Sequence, residues 1–564
     1  MIFSRLNPKD STPTFYEWIA LVLLFLALVA LSSQNQFLFF RDYGITWEGA
    51  YRLSIGQLPY VDFGIPVGPV GLIVPAISFS LFDASWKTFE YTQLFLNAVL
   101  LIICLSLLRR VSGNIIEIIA SLVVFNFLFL PFLISPWYNS IALLLFLLML
   151  RFILGGKNIF VFIGGVLCVL TIFSKQDYGV LAFFCALASI IFFLPRATRS
   201  ATQIFYTFGA FILGIAVPTV LFLFFINLED FLHWFNYGAG YGRRRVPLEI
   251  FYNPRLLLSI FALYFYIRTK DIFFGLASLI IFVSAVISYT SGLVFTSYFD
   301  VFLYAGFVFR TFSKKYLSVT LWNIIFGIAL LGIIFLAITI KTKAIVIFVL
   351  FLLATILSKS VHYFGATVLL LVSLALLPSL ELLSNSLRTS YLHVPKDSYF
   401  FTDKPLSSNI VSAPSELHFF SGTYAPKASY DGIVQLKSYI RENYPNPGLL
   451  KVLNLSELTP LYAELGLTPL KGLPLWFHTS VSFPKGEQEK LMAKLEYGYF
   501  DLVIYQEAHE VNSPYYKDLL NLLKKSSLYS ETDFSNFPSP SGAFKSCGIR
   551  ECRETNIAIY VRSK

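Results

Sequence analysis

The sequence predicts a mainly α-helical, polytopic membrane protein that carries a soluble α/β domain in its C-terminal part. Three observations predict it. Of 564 residues, 56% are hydrophobic and only 13% charged, and the mean hydropathy is +0.69. That is more apolar surface than one aqueous core can hide. Long apolar runs recur from residue 16 to residue 382, separated by short polar stretches. Beyond residue 382 the composition becomes that of a water-soluble domain, so the chain divides into a membrane part, 1–385, and an external part, 386–564.

The apolar runs fall at 16–40, 91–108, 114–135, 138–155, 158–173, 178–194, 203–227, 249–267, 271–290, 293–311, 318–340, 343–358 and 361–382. That makes about thirteen spans, several short enough to need neighbours or a thin bilayer. The first has no small-residue cleavage site after it and reads as a retained anchor. Positive residues recur in alternate loops: Arg109 and Arg110, Arg151 with Lys157, Arg196 with Arg199, Arg268 with Lys270, Arg310 with Lys314 and Lys315. The positive-inside rule makes that side cytoplasmic. The loop after the first span and the C-terminal part then face outward, across a cytoplasmic (inner) membrane. The net charge of +10 is spread between apolar runs as topology requires, so it does not point to a nucleic-acid partner.

In the C-terminal part, 451–455, 500–505 and 556–561 read as strands, and 429–443, 486–497 and 514–528 as helices. Their alternation predicts a small α/β domain. Cys104, Cys168 and Cys185 lie in apolar runs and read as packing residues. Cys547 and Cys552 lie close enough in a polar tail to pair, or to remain a reduced pair. There is no nucleotide-binding fingerprint and no zinc-type Cys/His spacing.

The stretch richest in chemistry is 41–71, which carries Asp42, Glu48 and Asp62 among Gly, Pro and aromatic residues directly after the first span. Gly and Pro there read as turns. Asp42 sits where the chain has just left the bilayer, within reach of a lipid-borne substrate. Glu48 is a weaker candidate, on a helical stretch expected to point it at water. At the same membrane level come four further features. Ser135–Pro136–Trp137–Tyr138–Asn139 reads as an aromatic belt or as a sugar contact through Tyr138. A charged turn follows with Lys175, suited to grip a phosphate, and Asp177, suited to a phosphate or a metal; a snorkelling lysine with a paired acid is the plainer reading. Arg243, Arg244 and Arg245 run against the positive-inside trend after an aromatic, Gly-containing stretch read as a mobile loop. Guanidinium forks bind phosphate in bidentate fashion, though lipid head groups would serve as well. Tyr298, in Ser297–Tyr298–Phe299–Asp300, is placed to line a cavity or an interface.

The pattern Asp42-x-Gly44, Ala50, Gly56-x-x-Pro59-Tyr60-x-Asp62-Phe63, Gly68-Pro69 resembles the first external loop of the GT-C glycosyltransferases that use polyprenyl-phosphate sugars. That superfamily includes aminoarabinose transferases and protein O-mannosyltransferases. The resemblance implies a GT-C fold and an inverting hexosyl- or pentosyltransferase. Its sugar would come from a polyprenyl-phosphate donor and pass to a lipid, glycan or protein acceptor outside the membrane. It implies that Asp42 is the catalytic base, with Asp62 its rival in the same loop beside Tyr60, and it raises Lys175 as a lipid-phosphate ligand. No cofactor is required by it; a divalent metal near Asp42 is compatible, since some members use one and others do not. Asp42 is followed by Tyr43 rather than the Glu of the O-mannosyltransferases, a departure that bears on metal use and protein acceptors. Two other classes fit parts of the chain: a transporter or flippase of lipid-linked saccharides, and a non-catalytic membrane scaffold.

Overall fold

A computed structural model describes residues 13–32, 41–111, 138–190, 201–240, 410–506, 513–539 and 556–563, less single positions and 478–482. It also describes the pairs 546–547 and 552–553 and scattered positions in 115–122 and 259–278. The expected spans between 281 and 382 lie outside the described residues.

The helices of the apolar part are α1 (Phe15–Ser32), α2 (Arg41–Ser54), α3 (Val70–Leu81), α4 (Trp86–Val111), α5 (Tyr138–Ile153), α6 (Asn158–Ile172), α7 (Gln176–Ala188), α8 (Ala201–Phe225) and α9 (Leu228–Gly240). Among the described residues, two helical segments are long and apolar enough to cross a membrane, Trp86–Arg109 of α4 and Phe205–Phe224 of α8. One face of α8 leaves Phe205, Leu213, Val220 and Phe224 exposed. An uncovered apolar stripe of that length fits lipid rather than water. The opposite face approaches α6 closely: a Cβ on Gly165 would stand 2.3 Å from the Phe211 carbonyl oxygen. Small residues permit such backbone approach between helices that gain nothing from hiding apolar surface in lipid.

Charge marks the two ends of the bundle. At one end Arg109 of α4 donates to buried Glu17 of α1 at 2.9 Å. At the other end α4 begins under the C-terminal part, where Gly422 lies against Lys87. Three of these helices extend or correct the sequence reading. The helical stretch expected around Glu48 extends over all of 41–54, past Gly44 and Gly49, because Tyr43, Trp47 and Ala50 form a buried stripe at helical spacing. The run 70–81 is a helix despite Pro75, twelve residues long and too short to cross a bilayer alone. The supposed mobile loop after 229 is helical to Gly240, held by Phe231 and Trp234 in a core with Phe63.

The C-terminal part adds β2 (Ile410–Ser412), β3 (Tyr424–Pro426), α10 (Lys427–Asn443), β4 (Val452–Leu455), α11 (Leu461–Glu464), α12 (Lys485–Glu496), β6 (Leu502–Gln506), α13 (Ser513–Lys525), β7 (Tyr529–Glu531), β8 (Phe537–Pro538) and β11 (Asn556–Arg562). Its sheet runs β4-β6-β11-β7, with β8 also on β11. β4 and β6 are parallel, while β11 is antiparallel to β6, β7 and β8. Side chains of β6 alternate between two cores. Leu502 and Ile504 meet Ile433, Leu436 and Ile440 of α10, while Val503 and Tyr505 meet Leu491 of α12 and Leu519 of α13. A strand covered on both faces reads as a near-continuous apolar run, and β6 does so from Leu502 to Tyr505, with Gln506 at its end. The α10 core continues without a seam into Trp47 of α2, Phe79 of α3 and Trp86 of α4. Finally, β9 (Ser546–Cys547) and β10 (Cys552–Arg553) pair so that Cys547 and Cys552 are direct partners.

Candidate active site

Helix α2 is fastened to the C-terminal part through one guanidinium. Arg52 is 1% exposed. Its Nε and Nη2 donate to Glu48 Oε1 at 2.9 and 2.7 Å, and its Nη1 donates to Gln57 Oε1 at 3.0 Å and the Leu470 carbonyl at 2.9 Å. The same group lies 5.4 Å from the Phe63 ring centre and 5.8 Å from that of Tyr462. Gln57 in turn donates to the Pro469 carbonyl at 2.7 Å. Glu48, expected to face water, is buried instead. Burial pushes its carboxyl up, and Arg52 pulls against that shift.

The loop that follows is stitched into place at both edges. β1 (Phe63–Gly64) pairs in parallel with β5 (Leu473–Pro474). Asp62 accepts from the Leu58 N–H at 2.9 Å and pairs with Lys471 at 2.9 Å. Slight burial raises its carboxyl, but the Leu58 N–H and Lys471 outweigh this and hold it below its usual value. Tyr60 takes a left-handed backbone at φ 66, a conformation that costs a non-glycine residue energy and needs support. Its support is a hydroxyl bond to the Val67 carbonyl at 2.8 Å and edge-on packing against Phe231 at 5.2 Å.

On the other edge the loop meets the turn before α7. The Val70 N–H donates to the Phe173 carbonyl at 3.0 Å, and Gln176 Nε2 donates to the Pro66 carbonyl at 2.8 Å. The approach is close enough that a Cβ on Gly68 would stand 1.6 Å from the Phe173 oxygen, so only glycine fits. Ser174 Oγ donates to the Tyr138 carbonyl at 2.9 Å. Lys175, 7% exposed, holds its ammonium 5.5 Å from the Tyr138 ring centre and 5.8 Å from that of Tyr178. A cation kept among aromatic faces is poorly hydrated and suited to an anion. Beside it Asn139 is wholly buried, and neither atom of its carboxamide has a hydrogen-bond partner among the described residues.

Of the residues predicted from sequence, then, Lys175 and Tyr138 come together, while Tyr60 and Asp62 build the adjoining loop. Asp42 is the second residue of α2 and Asp177 the second of α7; their side chains lie outside the described residues, as do Arg243, Arg244, Arg245 and Tyr298 entirely. Among the described residues no three His, Cys, Asp or Glu side chains gather as metal ligands. Arg52 and Gln176 were missed. The i, i+4 spacing of Glu48 and Arg52 on a helix was the available signal for the first.

No family model matches the sequence, and no curated protein matches it. The structure, by contrast, is similar to a crystal structure of ArnT from Cupriavidus metallidurans bound to undecaprenyl phosphate. The likeness has a TM-score of 0.50 at 11% identity and covers 97% of this chain and 98% of that one. The chain has a GT-C fold. ArnT is a GT-C aminoarabinose transferase, so the expectation drawn from the 42–69 pattern holds at the level of fold. ArnT in its apo state gives a TM-score of 0.47 at 13% identity, covering 96% and 97% of the two chains.

Proposed function

We propose that this chain is an integral-membrane glycosyltransferase of the GT-C type. It takes one sugar from a polyprenyl-phosphate donor and passes it to a lipid, glycan or protein acceptor on the outer face of the cytoplasmic membrane. The observation that carries the reading is the likeness in fold, along nearly the whole chain, to ArnT bound to undecaprenyl phosphate. The braced loop beside Lys175 supports it, because transfer needs fixed groups at the membrane surface. In this reading residues 1–385 span the membrane several times and residues 386–564 form an external α/β domain.

The step is a single displacement. Asp42 takes the proton of the acceptor hydroxyl or amine as that atom bonds to the anomeric carbon. The bond from that carbon to the phosphate oxygen breaks, its electron pair leaves on the lipid phosphate, and configuration inverts. Lys175 and Arg243–Arg245 offset the charge that gathers on the leaving phosphate. Tyr138, Tyr298 and Asp177 line the donor and acceptor path. Asp62 is better suited to bracing the loop than to proton transfer, since Leu58 and Lys471 already engage its carboxylate.

The test is product formation by the purified protein from undecaprenyl-phosphate sugars, with Asp42→Asn beside Asp62→Asn. Asp42→Asn is expected to lose about 100-fold or more in rate while still binding donor. Near wild-type turnover by Asp42→Asn would move the base to Asp62. The same result for both variants, or no turnover of any donor by the wild type, would favour a transporter of lipid-linked saccharides.

A further inference from the structure

Where α10 ends against the rims of β6, β7 and β11, a cleft of about 580 Å³ opens in the C-terminal part. That lies within the range of small-molecule sites. One wall is aromatic. The Tyr439 ring lies 5.2 Å from that of Phe534, tilted by 49°, and 6.2 Å from that of Tyr444. The other wall carries Asp501, Glu531 and Asp533 with a single cation, Arg562.

The cation is committed. Arg562 pairs with Asp501 at 2.7 Å and donates to the Gly498 carbonyl at 3.0 Å. Glu531 is held in direction by Asn536 Nδ2 at 2.7 Å and the Tyr560 hydroxyl at 3.3 Å. Asp533 has no hydrogen bond or ion pair among the described residues, and Thr532 Oγ1 is shut from solvent without a hydrogen-bond partner. Three carboxylates against one guanidinium repel an acidic ligand. Flat aromatic faces beside oriented acceptors suit a pyranose, whose C–H face lies on the rings while its hydroxyls or amine donate to the carboxylates.

We propose that this cleft is a carbohydrate-binding site, separate from the candidate active site, that takes a neutral or amine-bearing saccharide of one or two rings. None of the cleft residues belongs to α2, the 55–69 loop or the 173–176 turn. The inference does not rest on the transferase reading, because a transporter would carry the same cleft.

The full-length protein in lipid nanodiscs, applied to an array of neutral, aminated and acidic oligosaccharides, provides the test. Wild-type protein is expected to retain neutral or aminated glycans. Titration calorimetry with the best of them should show affinity at least about tenfold lower for Phe534→Ala and for Asp533→Asn, and unchanged for Asp42→Asn. Circular dichroism and melting of each variant separate lost binding from lost folding, and Asp533, at the exposed rim, keeps the test clean if Phe534→Ala unfolds. Retention of no glycan, retention of acidic glycans alone, or undiminished affinity in folded Asp533→Asn would overturn the proposal.

Discussion

Replacing Arg52 by Met removes a buried cation while keeping most of its volume, and leaves Glu48 buried without its partner. Removing one member of a buried ion pair costs about 3–5 kcal/mol. The C-terminal part that Arg52 fastens, 386–564, has 179 residues, a size for which each kcal/mol lowers Tm by about 2–4 °C, so the variant should melt roughly 6–20 °C below wild type. The pH dependence gives a sharper test. Glu48 is held above its usual carboxyl value by burial even with Arg52 present. The folded state therefore holds that proton more tightly than the unfolded one. Its contribution is full below the unfolded pKa and is lost as pH rises through the raised folded value. Without Arg52 the shift grows, so the deficit should be largest near pH 8 and shrink toward about pH 5. Adding Glu48→Gln should recover most of the loss, since a neutral pair needs no counter-charge. Differential scanning fluorimetry of the three proteins across pH measures all of this. A single variant that melts within about 2 °C of wild type near pH 8, or a deficit independent of pH, would refute the reasoning.

Other predictions follow from the site and the tail. Gly68→Ala should abolish turnover and increase proteolysis in the 55–69 loop, because the added Cβ meets the Phe173 carbonyl oxygen rather than a movable side chain. Lys175→Met should weaken binding of undecaprenyl phosphate by about tenfold or more, as a lost charge-assisted contact of about 1.5–3 kcal/mol implies; equal affinity in wild type and variant would leave Lys175 a packing residue. Cys547 and Cys552, cross-strand partners, should form a disulfide if the tail faces an oxidising compartment. Closing so short a loop should stabilise by about 2 kcal/mol, and mass spectrometry of unreduced protein finding two free thiols would exclude the bond.

The elements most legible in the sequence were those with one dominant period. The expected runs 138–155 and 158–173 became α5 and α6 with ends shifted by two residues or fewer, and the strands expected at 451–455, 500–505 and 556–561 are β4, β6 and β11. Where apolar and polar residues mix, the reading failed for a physical reason. The Gly and Pro of 41–71 read as turns around a helical stretch at Glu48, yet Gly49 lies inside the helix, where the side chains of Leu72 and of Leu475, 426 residues further along the sequence, press against it. Glu48 looked solvated because nothing local shows that Phe63 and Tyr462 will close over Arg52. The place of Lys175 in a short turn between apolar runs was legible. Its aromatic setting was not, since Tyr138 belongs to another helix.

The bonds from Arg52 and Gln57 to Leu470 and Pro469 span 418 and 412 residues. On a ribosome adding about 5–20 residues per second, the first loop is made roughly 20–80 s before the strand that holds it. Through that interval α2 has emerged but β5 does not yet exist, so neither Arg52 nor Phe63 has its final neighbours. A chain that stalls or is cut before residue 470 therefore inserts its helices without ever finishing the loop beside Lys175. Synthesis through β5 is thus the condition for the first loop to reach its final geometry.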